Sequence, residues 1–196
     1  MILVHGLREH AEALREDVAT MLAPLGLRLS AAKTQVAPMS DGFDFLGFRI
    51  VWKRKRGTDK WYVYTFIADK PIRALKRKIR SLTRRRSQVG FGAALTRINQ
   101  IQRGWANYFK YAVAKHTFDG IQHFTWVRIV NWVRYRHRLT WTALKRRLKG
   151  PHGWQPIVLD EVKLFNMASA TVSRYRWRGT KIPPPWPKTQ ITEPTA

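Results

Sequence analysis

The chain has 196 residues and a very large positive charge, with 37 Lys and Arg against 12 Asp and Glu and a formal net charge of +25 at pH 7. Its hydrophobic content of 44% is typical of a chain that buries a core, so the composition excludes a wholly disordered protein. Cysteine is absent, which excludes disulfides and Cys-ligated zinc. No apolar run approaches the ~18 residues that span a bilayer, and we expect no membrane partner.

The positive charge is unevenly distributed along the chain. Residues 1–52 hold 5 Lys and Arg against 6 Asp and Glu, a net charge of −1, which leaves +26 for residues 53–196. Phosphate polymers suit such a surface, because each neutralised phosphate releases condensed counterions. The charge pattern therefore predicts a protein that binds nucleic acid.

The first third of the chain predicts short strands around one helix. Residues 2–4 and 25–29 each indicate a strand, the second with one buried face. Residues 43–50 and 60–67 predict two further strands, joined through a turn at 56–59 as a β-hairpin. Between the first two strands, apolar residues at helical spacing predict an amphipathic helix packed against a core. They are Leu7, Ala11, Leu14, Val18, Met21 and Leu25.

From Pro71 the apolar residues recur with a helical period. A first helix, with Asp69 as its expected cap, has one apolar stripe. That stripe consists of Ile72, Leu75, Ile79 and Leu82. The stripe of a second helix consists of Leu95, Ile98, Ile101, Trp105, Tyr108 and Ala112. A third helix at 118–138 is apolar on most sides and is predicted to be the most buried. A short fourth helix ends at Gly150-Pro151. Gly104 costs its helix about 1 kcal/mol relative to Ala, which suggests a close helix contact there.

Three stretches carry a family resemblance. Residues 25–34 (LGLRLSAAKT) and 43–48 (FDFLGF) resemble the last two blocks of a reverse transcriptase palm. Residues 101–109 (IQRGWANYF) resemble the signature of a maturase-specific, or thumb, region, and residues 174–186 (RYRWRGTKIPPPW) are similar to the ending of some bacterial members. In this order and spacing, over essentially the whole chain, they resemble the reverse transcriptase/maturases encoded by group II introns.

The resemblance and the predicted elements together imply an α+β fold in three parts. Residues 1–68 would be the C-terminal end of the palm, with short strands, one helix and a β-hairpin. Residues 69–150 would be a mainly helical thumb or maturase-specific domain. Residues 151–196 would be a basic C-terminal extension with a Pro-rich tail. The palm part is expected to expose a sheet edge, because its partner strands are missing.

The resemblance also implies what this chain lacks. In the family, a Tyr-x-Asp-Asp turn holds the catalytic Mg²⁺ ions just before a strand like residues 2–4, and the sequence begins at that strand. Asp41 and Asp44 are interpreted as turn and solvent-facing residues. We therefore expect no catalytic residue, no metal site and no cofactor in this chain, although the full-length family uses Mg²⁺. The chain alone is expected to be inactive as a polymerase, and it is expected to lack the Cys-containing endonuclease domain of many members.

The candidate RNA-binding residues are basic side chains of the predicted helices and of a strand with alternating basic and aromatic residues near the C-terminus. Charged helix faces are usually only solvated, but no acidic residue occurs between positions 70 and 118, whereas solubility alone would be served by mixed signs. The candidates are Lys76, Arg77, Arg80, Arg84, Arg85, Arg86, Arg103, Arg134, Arg136, Arg138, Lys145, Arg146, Arg174, Arg176 and Arg178.

Two further assignments follow from the resemblance alone. Residues Phe45, Leu46, Gly47 and Phe48 correspond to a primer-grip hairpin, for which a core role and RNA contact are both left open. Lys33 corresponds to a lysine near the incoming nucleotide, but is interpreted as a solvated lysine because no nucleotide site exists to serve. Separately, the spacing of Trp105 and Phe109 predicts that both rings pack in a core.

The implied function is binding of structured group II intron RNA, which assists RNA splicing and intron mobility in the bacterial cytoplasm, associated with the nucleoid. The expected partners are the intron RNA, a DNA target and a separate chain that supplies the missing N-terminal half. Two alternatives stay open: a generic small basic RNA- or DNA-binding protein, and a gene remnant without function. The nine tryptophans argue against the generic protein, which seldom needs so many large rings.

Overall fold

The computed structural model describes residues 2, 4, 6–85, 89–151 and 153–173. Their helices are α1 (Arg8–Leu22), α2 (Asp69–Leu82), α3 (Phe91–Phe109), α4 (Lys115–Arg136) and α5 (Trp141–Leu148), with 3-10 helices at Ala23–Leu25 and Met167–Ser169. Their strands are β1 (Phe43–Phe45), β2 (Phe48–Arg54), β3 (Trp61–Ile67), β4 (Lys149–Gly150), β5 (Gly153–Trp154), β6 (Val158–Leu159) and β7 (Val162–Lys163). This combination of helices and small antiparallel sheets confirms the α+β class.

The N-terminal segment is helical as predicted, but it lacks the predicted core. Helix α1 contains no buried residue, and Met21 and Leu25 of its apolar stripe are 75% and 72% exposed. The strand predicted at 25–29 is wrong, because residues 23–25 form a 3-10 turn and residues 26–29 are in no strand. A strand needs a hydrogen-bonded neighbour, and no described strand pairs with this segment. Of residues 2–4, Leu3 lies outside the described residues, and the two others are in no strand.

Strands β1, β2 and β3 form an antiparallel sheet in that order. The single strand predicted at 43–50 is divided by a two-residue turn at Leu46-Gly47, where φ is 48° and 84°. Positive φ at both central residues is what a tight hairpin turn requires. The predicted β-hairpin is confirmed, since β2 and β3 pair from Phe48↔Ile67 to Arg54↔Trp61.

The helical core consists of two clusters of buried side chains. The first joins the sheet to α2, α3 and α4 and comprises Ile67, Leu75, Ile79, Ala106, Phe109, Ala112, Ala114, Phe118, Ile121 and Met167. The second comprises Leu95, Ile98, Ile129, Val130, Leu144, Ile157 and Leu164. The predicted stripe of α2 is confirmed, because Leu75 and Ile79 are buried while Ile72 and Leu82 pack against the clusters. On α3, Tyr108 departs from the prediction and is exposed.

Helix α3, not α4, contributes the most buried residues, eight against six. The prediction for α4 is wrong because α3 packs against α2, against both strands of the β6–β7 hairpin and against the second 3-10 helix. Two local predictions are also wrong. Asp69 is the first residue of α2 and not its cap, which is Ala68. Gly104 makes no close contact, since a Cβ there would meet nothing within 4 Å.

Residues 153–173, predicted to belong to a partly irregular extension, are packed into the helical core. Ile157, Leu164 and Met167 are all buried. The Asn99 side chain donates to the carbonyl of Lys163 and accepts from the amide of Phe165, both at 2.8 Å. This part of the chain is therefore held to α3 by polar contacts as well as by apolar packing. The division of the chain into three domains stays a prediction.

Candidate nucleic-acid interface

The outer face of α2 exposes basic side chains, because the apolar side chains of the opposite face pack in the core. Arg77 and Arg80 are exposed, as is Arg84 just after the helix. Lys76 and Arg80 lie over the ring of Phe124 on α4, with Nζ and Cζ at 5.3 and 5.1 Å from its centroid. Cation–π contacts of this kind contribute about 0.5–1 kcal/mol at exposed sites. They hold two of the cations against a neighbouring helix.

The basic candidates of the helical part form two clusters in the sequence, residues 76–86 and residues 134–147, and these two basic clusters meet at Tyr135. The guanidinium of Arg85 lies 3.9 Å from the ring centroid of Tyr135, and that of Arg134 lies 4.8 Å from it. The hydrogen bond from Arg134, its charge and then the charge of Arg85 lower the pKa of the Tyr135 phenol. Arg128 adds a second link, because its guanidinium donates to the hydroxyl and carbonyl of Thr83 at the end of α2. One continuous basic surface results.

The charge on this surface is not neutralised by the described part of the chain. Four ion pairs lie before residue 60: Arg8–Glu12, Arg15–Glu16, Arg49–Asp44 and Arg54–Asp59. Among the described residues, the following side chains form no ion pair: Lys76, Arg77, Arg80, Arg84, Arg85 and Arg134. Repulsion between so many like charges is relieved by a polyanion. The surface is therefore suited to a chain of phosphates.

Several of the remaining candidates have contacts of their own. Arg136 donates to the carbonyl of Val89 at 2.8 Å and lies over the ring of Phe91, which ties the end of α4 to the start of α3. Arg103 is exposed, with its guanidinium 5.1 Å from the ring centroid of Phe165.

Arg138, Lys145 and Arg146 are exposed at the ends of helices α4 and α5. Positive charge in the last turn of a helix complements the helix dipole. Lys145 and Arg146 therefore have a structural reason to be basic, in addition to RNA binding. The other candidates, Arg86, Arg174, Arg176 and Arg178, lie outside the described residues.

The hairpin that resembles a primer grip is attached to the maturase motif of α3. The phenol of Tyr108 donates to the carbonyl of Leu46 at 2.9 Å. The ring of Phe48 lies 5.5 Å from that of Tyr108 and 5.1 Å from that of Phe109. Phe45 and Leu46 are exposed at the turn. Phe48 is thus part of the core contact, and contact of the exposed pair with a primer stays a prediction.

Gly47 of the same hairpin packs closely against the side chain of Phe109. A Cβ added there would lie 3.4 Å from the ring of Phe109, and the carbonyl of Gly47 accepts from the amide of Ala68 at 2.9 Å.

The prediction that Trp105 and Phe109 of the maturase motif pack in the core is confirmed. The ring of Trp105 packs 4.4 Å from that of Phe109, which is itself buried. Lys33 is exposed in a turn, and its role near a nucleotide stays a prediction.

Asp41 lies exposed in a turn and Asp44 is exposed on β1, as predicted, and both contact Arg49. Arg49 donates to the Asp44 carboxylate at 3.1 Å and to the backbone carbonyl of Asp41. No group of three or more His, Cys, Asp or Glu able to hold a metal occurs among the described residues. Likewise, no described helix is long and apolar enough to cross a membrane.

A groove of about 520 Å³ lies on the helical core and was not predicted from the sequence. It is lined by Asp119, Gln122, His123, Trp126, Trp141, Trp154 and Ala168. The tryptophans are 15 and 13 residues apart and come from three elements, so no local pattern brings them together. The number of tryptophans in so basic a chain is the one feature that pointed to them.

The fold is α+β, and its helical core presents one continuous basic surface. Residues 72–149, less than half of the chain, match the family described as "Group II intron, maturase-specific domain". Over this range the chain is similar to that family, in agreement with the resemblance of residues 101–109 to a maturase-specific region. The matched range contains most of α2 and all of α3, α4 and α5, together with the meeting of the two basic clusters at Tyr135.

A curated relative is similar over a comparable length. Protein YkfC of Escherichia coli (strain K12) is 37% identical over 71 residues, which are 36% of this chain. The same match covers only 19% of Protein YkfC.

Proposed function

We propose that this chain binds structured group II intron RNA as the maturase part of an intron-encoded reverse transcriptase, and that this binding assists RNA splicing and intron mobility. The observation that carries the proposal is the joined basic surface, where Arg85 and Arg134 share the ring of Tyr135 inside the maturase-specific domain. Splicing chemistry in such a system belongs to the RNA. The protein supplies charge at fixed positions, which suits folded RNA because its backbone is more accessible than its base edges.

Two features of the surface favour a folded target over a random polyanion. Several cations are stacked on aromatic rings, so less side-chain entropy is lost when they contact phosphates. The contacts also join α2 to α4, which fixes the spacing between charges from different helices. A folded RNA presents phosphates at fixed spacings, whereas an unstructured RNA adapts to any basic surface.

A comparison of two charge-reversal variants tests this proposal. The first changes Arg77, Arg80 and Arg84 to Glu, and the second changes three exposed residues of the β2–β3 turn, Lys55, Arg56 and Lys60, to Glu. Both alter the net charge by the same amount and neither removes a buried side chain. We expect the α2 variant to lose much more affinity for folded intron RNA than for unstructured RNA of equal length, and the turn variant to lose little for either. Equal losses for both variants on both RNAs would contradict the maturase proposal and favour a generic basic protein.

The dependence of RNA binding on salt tests the electrostatic part separately. If the surface neutralises ~6–10 phosphates, affinity falls by roughly 10³–10⁵ between 50 and 200 mM salt. The α2 variant should reduce the log–log slope by about 2–3, because each lost contact removes about 0.9 from it. A slope near zero for the unaltered chain would contradict phosphate binding.

A DNA target and a separate partner chain are further parts of the proposal. The exposed apolar stripe of α1, with Leu7 at 66% and Met21 at 75%, supports a covering partner for that helix. Competition between folded intron RNA and duplex DNA with the same number of phosphates tests the DNA target. DNA that displaces no RNA at equal phosphate concentration would exclude it.

A further inference from the structure

The groove on the helical core is walled by tryptophans from three elements. Trp126 lies on α4, Trp141 begins α5 and Trp154 lies in β5. The rings of Trp126 and Trp154 meet edge to face, 4.9 Å apart at 74°. Trp141 and Trp154 remain 40% and 49% exposed, so large aromatic faces are open to a ligand. A volume of about 520 Å³ lies within the range of small-ligand sites.

One wall of the groove is polar and belongs to a single face of α4. Gln122, His123 and Trp126 follow Asp119 by three, four and seven residues, a spacing that places all four side chains on the same side of the helix. The Oε1 atom of Gln122 accepts from the amide of Met167 at 2.9 Å, which leaves its Nε2 donors for a ligand. The carboxylate of Asp119 is exposed and has no hydrogen bond or ion pair with any described residue. It is an unused pair of acceptors beside open aromatic faces.

The edge of the groove is basic. The ammonium of Lys145 lies 5.7 Å from the ring centroid of Trp141. The ammonium of Lys115 donates to the carbonyl of Ala168, a residue that lines the groove. Cations at the edge attract phosphate, whereas the Asp119 carboxylate in the wall repels it. This charge pattern fits a nucleotide whose base enters the groove while its phosphates stay at the edge.

We propose that this groove binds one unpaired nucleobase of RNA, and that guanine fits it best. Stacking of a base on an exposed tryptophan accounts for the aromatic walls, and recognition of splayed-out bases in this way is common for single-stranded RNA. The adjacent N1–H and N2–H donors of guanine match the two acceptor oxygens of Asp119, and adenine and uracil lack this pair of donors. The inference rests on the proposed RNA binding and adds a base-reading site to its phosphate contacts.

The test is equilibrium binding of the full chain to three labelled uridine-rich pentanucleotides of equal charge, whose central position is guanosine, adenosine or abasic. We expect the guanosine oligonucleotide to bind roughly 5- to 150-fold more tightly than the abasic one, the range found for a single stacked base. Trp154→Ala should abolish this preference. Trp61→Ala, which removes a ring of similar exposure (54%) on the β2–β3 hairpin, should leave it unchanged.

Asp119→Asn separates base reading from simple electrostatics by the sign of its effect. Removal of a negative charge should leave unchanged or strengthen binding of the abasic oligonucleotide, whereas the preference for guanosine over adenosine should be lost. Glu161→Gln, an exposed acid outside the groove, is the control with the same charge change and should keep the preference. An Asp119→Asn variant that strengthens binding of all three oligonucleotides equally would overturn the proposal.

Two further results also decide the matter. Equal affinity of the unaltered chain for the guanosine and abasic oligonucleotides would overturn the base site. A steep salt dependence of binding to the abasic oligonucleotide would in that case still support the phosphate-binding surface. If near-UV circular dichroism shows that Trp154→Ala is misfolded, Trp141→Ala replaces it, since that ring is also exposed. A folded Trp141→Ala variant with an undiminished guanosine preference would overturn the proposal as well.

Discussion

Replacement of Gly104 by Ala should stabilise the protein. Gly104 lies within α3, is exposed, and has open space where the methyl group would be placed. Glycine in a helix interior is less favourable than Ala by about 0.8–1.0 kcal/mol. Nothing in the described chain opposes this gain, so the free energy of unfolding should rise by about 1 kcal/mol. The midpoint of thermal unfolding should rise by roughly 2–8 °C, depending on the size of the cooperative unit.

Gly92, in the first turn of the same helix, is the matched control with the opposite sign. It is buried, and its Cβ would lie 2.8 Å from the Cβ of Asp160. That atom is fixed to the backbone of a turn, and the Asp160 carboxylate also accepts from the Gly92 amide at 2.8 Å. Overpacking of this kind costs about 1–3 kcal/mol, which the gain in helix propensity only partly offsets. We therefore expect Gly92→Ala to lower the free energy of unfolding.

Urea unfolding followed by far-UV circular dichroism measures both changes, with RNA affinity measured in parallel. A Gly104→Ala variant that unfolds at lower urea than the unaltered protein would refute the reasoning, because it would require a neighbour that the described chain does not place there. A Gly104→Ala variant that is more stable but binds RNA less tightly would show that RNA approaches this face of α3. Gly120→Ala on α4, another exposed site with open space, should repeat the stabilisation.

Three other predictions follow from individual contacts. Trp105→Ala should lower the free energy of unfolding by about 3–5 kcal/mol, because its ring packs against Phe109, and calorimetry should show this loss; lost RNA affinity at an unchanged melting temperature would instead make Trp105 a contact residue. Asn99→Ala should cost about 1–3 kcal/mol in urea unfolding, since the carbonyl and the amide it binds would lose their partners; no change would mean that water replaces the side chain. Tyr135 should ionise below the ordinary tyrosine pKa near 10, because Arg134 stabilises the phenolate, and Arg134→Gln should raise that pKa in a spectrophotometric titration; an unchanged pKa would contradict the contact.

The elements that form by local spacing were predictable from the sequence. The stripe of α2 repeats every three or four residues, and its exposed arginines follow from the same period. The β2–β3 hairpin also carries its own turn residues, so its existence needed no knowledge of the rest of the chain. The maturase motif predicted Trp105 and Phe109 in the core for the same local reason.

The failures occurred where burial depends on a distant partner. Residues 25–29 alternate as a strand does, but no neighbouring strand provides hydrogen bonds, so the segment stays irregular. The apolar stripe of α1 predicts only that the helix has an apolar face. It cannot specify which element, on this chain or another, buries that face.

Charge, apolar period and a contiguous motif are local properties, so the α+β class, the positive surface and the similarity of the helical part to a maturase-specific domain could be predicted from the sequence. The tertiary structure was needed to show that the two basic clusters meet at Tyr135 and that residues 153–173 pack into the core. It also decided that Trp126, Trp141 and Trp154 line one groove. These contacts join residues far apart in sequence, and they form because helices that share a core must bring their remaining faces together at its surface.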